Sequence, residues 1–215
     1  MAQRLHINAR RPEHRIIRDA VRALRRGDLV VFPSETVYGL GADALNTEAV
    51  KKIFRAKGRP ARKALIILVN DLDGLRRVAR DIPPVAFPLM KRFWPGPLTL
   101  IFKKRRAIPR AVAKGTTVAV RCSSHPVARA LVAMLKRPLA APSANRSGYP
   151  SHRTIPPVFR ELRHNRAIAL FLDGGKTPIG TPSTILDLTK SPPAILRAGP
   201  VTKRMLTAFL NAHKR

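Results

Sequence analysis

Short apolar runs that alternate with amphipathic segments are the feature that most constrains the fold of this 215-residue chain. The runs DLVVFP, ALIILV and TTVAVRC have the length and the composition of buried strands. Residues 14–27 and 46–58 repeat their apolar side chains at helical spacing, and each segment ends at a glycine. Helices and strands therefore interleave along the chain, which predicts an α/β fold with a mixed, twisted sheet and flanking helices.

The organisation of the chain favours one domain over residues 1–215. The sequence contains no internal repeat, no low-complexity tract and no clear linker, and hydrophobic residues make up 45% of it. This length is sufficient for a real core. The 20 prolines and several glycine turns predict many shaped loops, and functional residues are often found on such loops.

The charge of the chain predicts an anionic partner. Lysine and arginine number 42 against 12 aspartates and glutamates, so the formal net charge is +30. That excess is far above what solubility requires, and RNA or nucleotides are the leading candidates for the partner. The alternative is a basic surface that is merely solvated. Aromatic residues are only 5% of the chain, which argues against a base-stacking platform as the main device.

Several classes of protein are disfavoured by composition. A single cysteine, Cys122, excludes an internal disulfide and a cysteine-rich metal site, and it fits a cytoplasmic protein. No apolar run reaches membrane-spanning length and the N-terminal residues lack a signal-peptide core, so we expect no membrane association. The six histidines are scattered and carboxylates are few. The sequence therefore predicts neither a protein metal site nor a paired-acid mechanism.

A basic segment follows the second amphipathic helix. Four cations fall within seven residues, namely Lys57, Arg59, Arg62 and Lys63. The negative end of a helix dipole favours cations locally, and this accounts for Lys57. It accounts less well for a cluster that continues into the next strand, where cations of fixed direction suit a polyphosphate. Both interpretations remain open from the segment alone.

The loop after the first buried strand has a partial G-x-G-x-x-A dinucleotide fingerprint within residues 32–44. The next helix begins only at Asn46, and no carboxylate stands at the ribose-binding distance. A nucleotide-dependent oxidoreductase is therefore disfavoured. The loop instead predicts a turn that presents the hydroxyl groups of Ser34 and Thr36, with an ordinary strand-to-loop exit as the alternative.

Further polar residues stand at strand ends. Arg121 follows apolar strand residues, so it should be paired or face a ligand, because an unpaired buried charge is costly. The segment APSANRSG places hydroxyl and amide groups in a tight turn that either cradles an anion or is a plain serine turn. Ser183 and Arg197 add another hydroxyl and another guanidinium group. These hydroxyl, amide and guanidinium groups can bind anions and stabilise charge without a covalent intermediate.

Seven motifs occur in an order and spacing that resemble the YrdC-like family. They are PSETVYGLG, KGRP, WPGPLT, VAVR, PSAN-SG, STILDL and LRAGPVT, and they extend over about residues 15–205. The resemblance implies a single-domain α/β fold with a concave, positively charged face. It also implies synthesis of threonylcarbamoyl-AMP and pyrophosphate from L-threonine, bicarbonate and ATP with Mg²⁺. The product would feed the threonylcarbamoyladenosine modification of tRNA, completed by partner proteins. The alternative is a non-catalytic paralogue that binds double-stranded RNA, tRNA or rRNA.

The resemblance also implies roles for individual residues. The residues expected to act on ATP during catalysis are Lys57, Arg59, Ser143 and Asn145, with the two cations facing the phosphates. Additional nucleotide contacts are expected from Lys63, Thr117, Ser151 and Arg197. Threonine contacts are expected from Thr36, Arg121 and Ser183. The chain departs from the pattern of many relatives at Lys63, Ala64 and Leu68, where they have Asn-Pro and a histidine, so no threonine contact is predicted at position 68.

Overall fold

The structure, a computed structural model, describes residues 3–61 and 63–212, so Arg62 of the basic segment lies outside the described residues. The strands in the described ranges are β1 Gln3–His6, β2 Leu29–Phe32, β3 Gly39–Asp43, β4 Ile66–Leu68, β5 Ala79–Arg80, β6 Leu98–Lys104, β7 Thr117–Arg121, β8 Leu139–Ala140, β9 Ile168–Asp173, β10 Thr184–Asp187 and β11 Ala194–Arg197. The helices are α1 His14–Arg25, α2 Thr47–Lys57, α3 Leu72–Val78, α4 Ala86–Phe93, α5 Pro126–Leu135, α6 Ile155–Leu162 and α7 Lys203–Ala212.

The strands form one mixed sheet. Their order is β1-β9-β2-β3-β8-β4-β7-β6-β10-β11, and β5 pairs with β6. The pairs β1–β9, β2–β9, β4–β7 and β6–β10 are parallel, whereas β2–β3, β3–β8, β4–β8, β6–β7 and β10–β11 are antiparallel. The predicted α/β class with a mixed sheet is therefore confirmed. Strand β1 lies at one edge of the sheet, parallel to β9.

The boundaries of α2 illustrate how local sequence sets an element. The side chain of Asn46 accepts hydrogen bonds from the backbone N–H groups of Glu48 and Ala49, which caps the helix. Gly58 ends the helix with φ at 57°, a conformation that glycine adopts without steric cost. Both predicted ends of this helix are confirmed, and the glycine turns the chain toward the basic segment.

Strand alternation divides the apolar residues between the two faces of the sheet. One face carries Val31 and Ile67 and packs against α2, α3, α4, α6 and α7. The opposite face carries Phe32 and Leu68 and is covered by α1 and α5. These two helices leave the face over β4, β7, β6 and β10 open beside them. None of the helices in the described ranges has both the length and the apolar composition needed to span a membrane.

Candidate nucleotide and amino-acid cleft

A cleft of about 220 Å³ occupies the open face of the sheet beside α1 and α5. Its floor is apolar and consists of Ile66, Ile101, Ala119 and Ile185. Strand alternation makes this floor, because Ala119 and Arg121 face the cleft while Val118 and Val120 face the core. Of the residues that sequence assigned to a site, those that line the cleft are Arg59, Arg121, Ser143, Ser183 and Arg197.

Arg121 is buried at the wall of the cleft, with a side chain only 7% exposed. Its Nε donates to the carbonyl oxygen of Gly96 over 3.1 Å, and its Nη1 donates to Thr36 Oγ1 over 3.0 Å. Its Nη2 lies 2.8 Å from Glu35 Oε1, which makes an ion pair. That Nη2 nevertheless has no hydrogen-bond acceptor of good geometry among the described residues. The prediction that Arg121 is either paired or ligand-facing is met by the ion pair.

Glu35 is the counter-charge of Arg121 and was not among the predicted site residues. It accepts a hydrogen bond from the Ser123 hydroxyl and one of 3.1 Å from the Ser124 N–H. Burial alone would raise the pKa of Glu35, but the charge of Arg121 and these hydrogen bonds outweigh it and lower the pKa. Glu35 is therefore a fixed carboxylate and a poor proton acceptor.

Arg197 stands on the opposite side of the cleft and is held by Ser183. Its Nε donates to the Ser183 carbonyl oxygen over 2.9 Å and its Nη2 donates to Ser183 Oγ over 3.1 Å. The same hydroxyl lies 2.7 Å from Thr99 Oγ1, and Ser183 is 1% exposed. Ser183 thus orients the guanidinium group, and its hydroxyl has little capacity left for a ligand.

Arg59 completes a group of three arginines at the cleft. It follows the helix-ending Gly58, and its Nη2 donates to the Ala64 carbonyl oxygen over 2.9 Å. Burial, and then the charges of Arg121 and Arg59, lower the pKa of Arg197. Three guanidinium groups therefore act on one another across a small volume, an arrangement that favours an anion between them.

Lys57 lies beneath the cleft and does not line it. The residue is 3% exposed, and its Nζ donates to the carbonyl oxygens of Ser143, at 2.5 Å, and Asn145. Burial first, and the charge of Arg59 second, lower the pKa of Lys57 to about 8. The expectation that Lys57 faces the phosphates disagrees with this geometry, because its donors are directed at the backbone of the turn. Lys57 acts as a support for Ser143 and the residues that follow it.

Asn145 is also turned inward. Its Nδ2 donates to the carbonyl oxygens of Arg146, at 2.8 Å, and Tyr149, at 2.6 Å, and it is 4% exposed. The direct nucleotide contact expected from Asn145 is therefore not supported by this arrangement, since the amide closes its own turn. Ser143 does line the cleft, and its hydroxyl has no hydrogen-bond partner within residues 3–61 and 63–212.

A second support holds the same turn from outside. Glu161 accepts a hydrogen bond of 3.0 Å from the Arg146 N–H, and its other oxygen lies 2.5 Å from His152 Nε2. Burial would raise the pKa of Glu161, but hydrogen bonds from Arg146 and His152 outweigh it and lower the pKa. Neither residue was recognised from sequence, because nothing local marks them as neighbours of the turn.

The loop after β2 brings hydroxyl groups to the cleft, as predicted. Ser34 lines the cleft, whereas Thr36 is 1% exposed and meets Arg121 behind the surface. Ser34 Oγ donates to the Val37 carbonyl oxygen over 2.7 Å and lies 2.9 Å from Thr36 Oγ1. Of these two residues only Ser34 lines the cleft, and it was left out of the predicted site.

Three predicted nucleotide contacts are not brought to the cleft. Thr117 shares a strand face with Arg121 but stands four residues away, about 13 Å along β7. Lys63 is exposed, and its carbonyl oxygen accepts a bond of 3.5 Å from Arg59 Nε. Ser151 lies outside the lining, in the segment whose His152 carbonyl oxygen accepts from the backbone of the loop after β2.

The departures from the family pattern have a visible consequence. Ala64 and Leu68 both line the cleft and present only apolar atoms. No carboxylate lines the cleft, and the described parts of the chain hold no group of three or more metal-ligating side chains.

Comparisons with known proteins agree with the motifs. The Sua5/YciO/YrdC family model, described as "Telomere recombination", matches residues 22–199. The chain is 49% identical over 195 residues to the threonylcarbamoyl-AMP synthase of Pyrococcus abyssi and 46% identical over 196 residues to that of Bacillus subtilis. Each match covers 90% of this chain, but the chain spans only 57% and 56% of the length of these two relatives.

The fold is similar to that of a solved relative. The crystal structure of P. abyssi Sua5 complexed with L-threonine superposes with a TM-score of 0.91 at 46% identity. The match covers 96% of this chain and 61% of the other. The likeness therefore extends over nearly all of this chain.

Proposed function

Because this chain belongs to the Sua5/YciO/YrdC family, we propose that it is a threonylcarbamoyl-AMP synthase. The threonine amine and bicarbonate would form a carbamate and water. A carbamate oxygen would then bond to the α-phosphorus of ATP as the bond to pyrophosphate breaks. The observation that carries the proposal is the convergence of Arg59, Arg121 and Arg197 on one small cleft.

The charges of the reactants explain why such a cleft is needed. A carbamate and a triphosphate are both anions, and bringing them together in water is opposed by their repulsion. Fixed guanidinium groups in a partly buried cleft offset that repulsion and stabilise the negative charge that develops on the leaving pyrophosphate. No side chain has to act as a proton acceptor at the carbamate, which suits a cleft whose nearest carboxylate, Glu35, is ion-paired.

In this proposal the nucleotide would lie near the turn after β8. Arg59 and Arg197 supply the cations, and the hydroxyl of Ser143 supplies a hydrogen-bond donor. Lys57 and Asn145 contribute indirectly, because they fix the backbone of that turn. Contacts from Lys63, Thr117 and Ser151 would require a nucleotide that extends beyond the cleft described above.

Threonine would lie near Arg121, whose guanidinium group borders the cleft and offers a positive charge to the threonine carboxylate. Ser34 lines the cleft on the same side, and Thr36 would act behind it by accepting a hydrogen bond from Arg121. The complex of the P. abyssi relative with L-threonine supports an amino-acid substrate for this family member. Ser183 would act through Arg197, which it orients.

Mg²⁺ belongs to this proposal as part of the MgATP substrate. The cleft offers the ion no carboxylate ligand, so phosphate oxygens and water would complete its coordination. When bound, the ion would neutralise part of the triphosphate charge. The protein residues supply the remaining positive charge and set the orientation of the phosphates.

The product would be consumed in the threonylcarbamoyladenosine modification of tRNA by partner proteins, and we propose a cytoplasmic location for the activity. The alternative, a non-catalytic RNA-binding paralogue, is less well supported, since relatives at 49% and 46% identity carry the name of a synthase. It predicts RNA binding without any consumption of ATP. A pyrophosphate assay separates the two.

The test uses the 215-residue chain with ATP, Mg²⁺, bicarbonate and L-threonine, and follows pyrophosphate release. We expect release that depends on both threonine and bicarbonate. Release that ignores threonine, or no release from a folded protein, would contradict the proposal. The experiment also asks whether this chain suffices without the additional length of its relatives.

Two variants test which substrate each side of the cleft binds. Arg197→Gln should raise the ATP requirement, and Arg121→Lys should raise the threonine requirement, because a point charge replaces a bidentate fork. Arg204→Gln removes an exposed arginine of α7 and is the matched control. If the two cleft variants have the same ATP and threonine requirements as the control variant, the assignment of the cleft as the substrate site is wrong.

A further inference from the structure

A groove separate from the cleft runs between α2 and the segment that joins β6 to β7. Its volume is about 690 Å³. The groove has an apolar floor, which consists of Phe54, Ala61, Pro109 and Ala111. Phe54 and Ala111 also pack into the core beneath α2, and Phe54 is only 8% exposed. The floor of the groove is therefore continuous with the core on that face of the sheet.

The rim of the groove is basic on both sides. Lys51 and Arg55 stand on α2, and Arg110 and Lys114 stand on the facing segment. All four side chains belong to exposed residues, and no carboxylate belongs to the described lining. Lys51 forms an ion pair of 2.7 Å with Glu48, but within the described ranges the other three cations have no carboxylate at ion-pair distance. The two walls therefore present excess positive charge above an apolar floor.

Local structure accounts for only part of this charge. Arg55 lies in the last turn of α2, where the helix dipole favours a cation. Arg110 and Lys114 lie outside the helices and strands, so no dipole accounts for them. The sequence has no aspartate or glutamate from residue 82 to residue 160, which means that the facing segment carries no counter-charge of its own. Cations that the described chain leaves unpaired beside an apolar floor indicate an external partner.

We propose that this groove binds an acidic, amphipathic segment of a partner protein. Apolar side chains of the segment would cover the floor, and its carboxylates would face the basic rim. From Thr47 to Arg55 the α2 wall is about 12 Å long, at 1.5 Å per residue, which matches about two turns of a bound helix. A phosphate backbone would meet the cations but would leave the apolar floor uncovered, whereas exposed apolar surface with a polar rim is typical of protein–protein contacts.

The groove lies beside the substrate cleft. Ala61 at its floor stands two residues after Arg59, which lines the cleft. The backbone N–H of Leu65 donates to the Val112 carbonyl oxygen over 2.9 Å, which joins the residue before β4 to the facing wall of the groove. A segment bound in the groove would therefore contact the same stretch of chain that carries a cleft arginine. The inference itself does not depend on the synthase activity.

The test measures, by fluorescence anisotropy, binding of a labelled peptide of about twelve residues in which pairs of glutamates alternate with pairs of leucines. A second peptide has serine in place of every leucine and carries the same charge. At about 100 mM KCl, where charges more than about 10 Å apart are largely screened, we expect the leucine peptide to bind at least about tenfold more tightly. Equal affinity for the two peptides would overturn the proposal, because the apolar floor would then contribute nothing.

A pair of charge-reversal variants locates the binding site. Arg110→Glu/Lys114→Glu should weaken binding of the leucine peptide at least about tenfold, because the facing wall would then repel its carboxylates. The matched control, Arg160→Glu/Lys190→Glu, makes the same change at exposed positions outside the groove and should bind nearly as the wild type does.

Equal losses in the two double variants would overturn the proposal, because only net charge would then matter. The proposal also fails if the wild type does not bind the leucine peptide, or if Arg110→Glu/Lys114→Glu weakens binding of dodecanoate or of a short RNA duplex but not of the peptide. Circular dichroism separates lost binding from lost folding, and we expect the groove variant to fold as the wild type does, since both of its positions are exposed.

Discussion

Replacing Glu35 by glutamine should destabilise the protein strongly, because it leaves the guanidinium of Arg121 without its counter-charge. Both side chains are 7% exposed and their charged atoms are 2.8 Å apart. Removing one partner of a buried pair costs about 3–5 kcal/mol. Because a domain has about 5–15 kcal/mol of stability in total, this loss is large.

The assay is urea unfolding at pH 7, followed by circular dichroism. Glu48→Gln is the matched control, since it removes the same charge from an exposed pair with Lys51, whose side chains are 66% and 54% exposed. Surface pairs of this kind contribute about 0–1 kcal/mol. If Glu35→Gln lowers the free energy of unfolding no more than Glu48→Gln does, the buried pair is not the stabilising contact described above.

A double-mutant cycle isolates the pair itself. Arg121→Met alone leaves the Glu35 carboxylate buried and uncompensated, so it should also be costly. The double variant should lose clearly less than the sum of the single losses, because neither charge is left alone. Additive losses would show that the two side chains act independently.

The pair also predicts how stability depends on pH. The pKa of Glu35 is lowered in the folded state, so the folded protein binds fewer protons than the unfolded chain around that pKa. The stabilisation is therefore present above the ordinary pKa of about 4.5 and is lost as pH falls through the folded value. Glu35→Gln should remove this component of the acid sensitivity.

Two further changes test the supports of the cleft. Lys57→Met leaves buried carbonyl oxygens without donors, so it should cost about 2–5 kcal/mol and reduce ATP use, whereas Lys51→Met at the surface should do neither. The pKa of Lys57 is lowered to about 8 in the folded protein, so between pH 8 and pH 10 the folded protein binds fewer protons at this residue than the unfolded chain does. The free energy of unfolding of the wild type should therefore rise from pH 8 to pH 10. Urea titrations of Lys57→Met should not show this rise. Gly199→Ala would place a Cβ 2.5 Å from the Thr184 backbone nitrogen and should cost about 1–3 kcal/mol, whereas Gly115→Ala has open space and should be near neutral in the same unfolding assay.

The roles of Lys57 and Arg59 show where sequence reasoning ends. A cation at a helix end next to a left-handed glycine could be predicted, because capping and dipole effects are local. The direction of each side chain could not, since Lys57 meets acceptors 86 and 88 positions away in the chain. Two cations that are neighbours in sequence therefore have different tasks, one beneath the turn and one at the cleft.

Arg121 also shows that the sequence could not identify the contact partner of a side chain. Because an unpaired buried charge is costly, the sequence predicted that Arg121 has a charged partner or faces a ligand, and the ion pair meets this prediction. The partner is Glu35, 86 positions earlier in the chain, and no spacing rule connects the two residues. Ser34 was noted as an available hydroxyl but left out of the site, because its position at the surface of the cleft depends on the neighbouring strands.

The amino-acid sequence by itself determined the α/β class and the ends of α2, and its net charge predicts an anionic partner, because periodicity, capping and net charge are properties of short segments or of composition. Only the tertiary structure decided which side chains meet. The antiparallel and parallel pairings of the sheet place the ends of β2, β7, β8 and β10 around one cleft. Contacts between such distant segments follow from how the strands are ordered, and that order is not contained in any one of them.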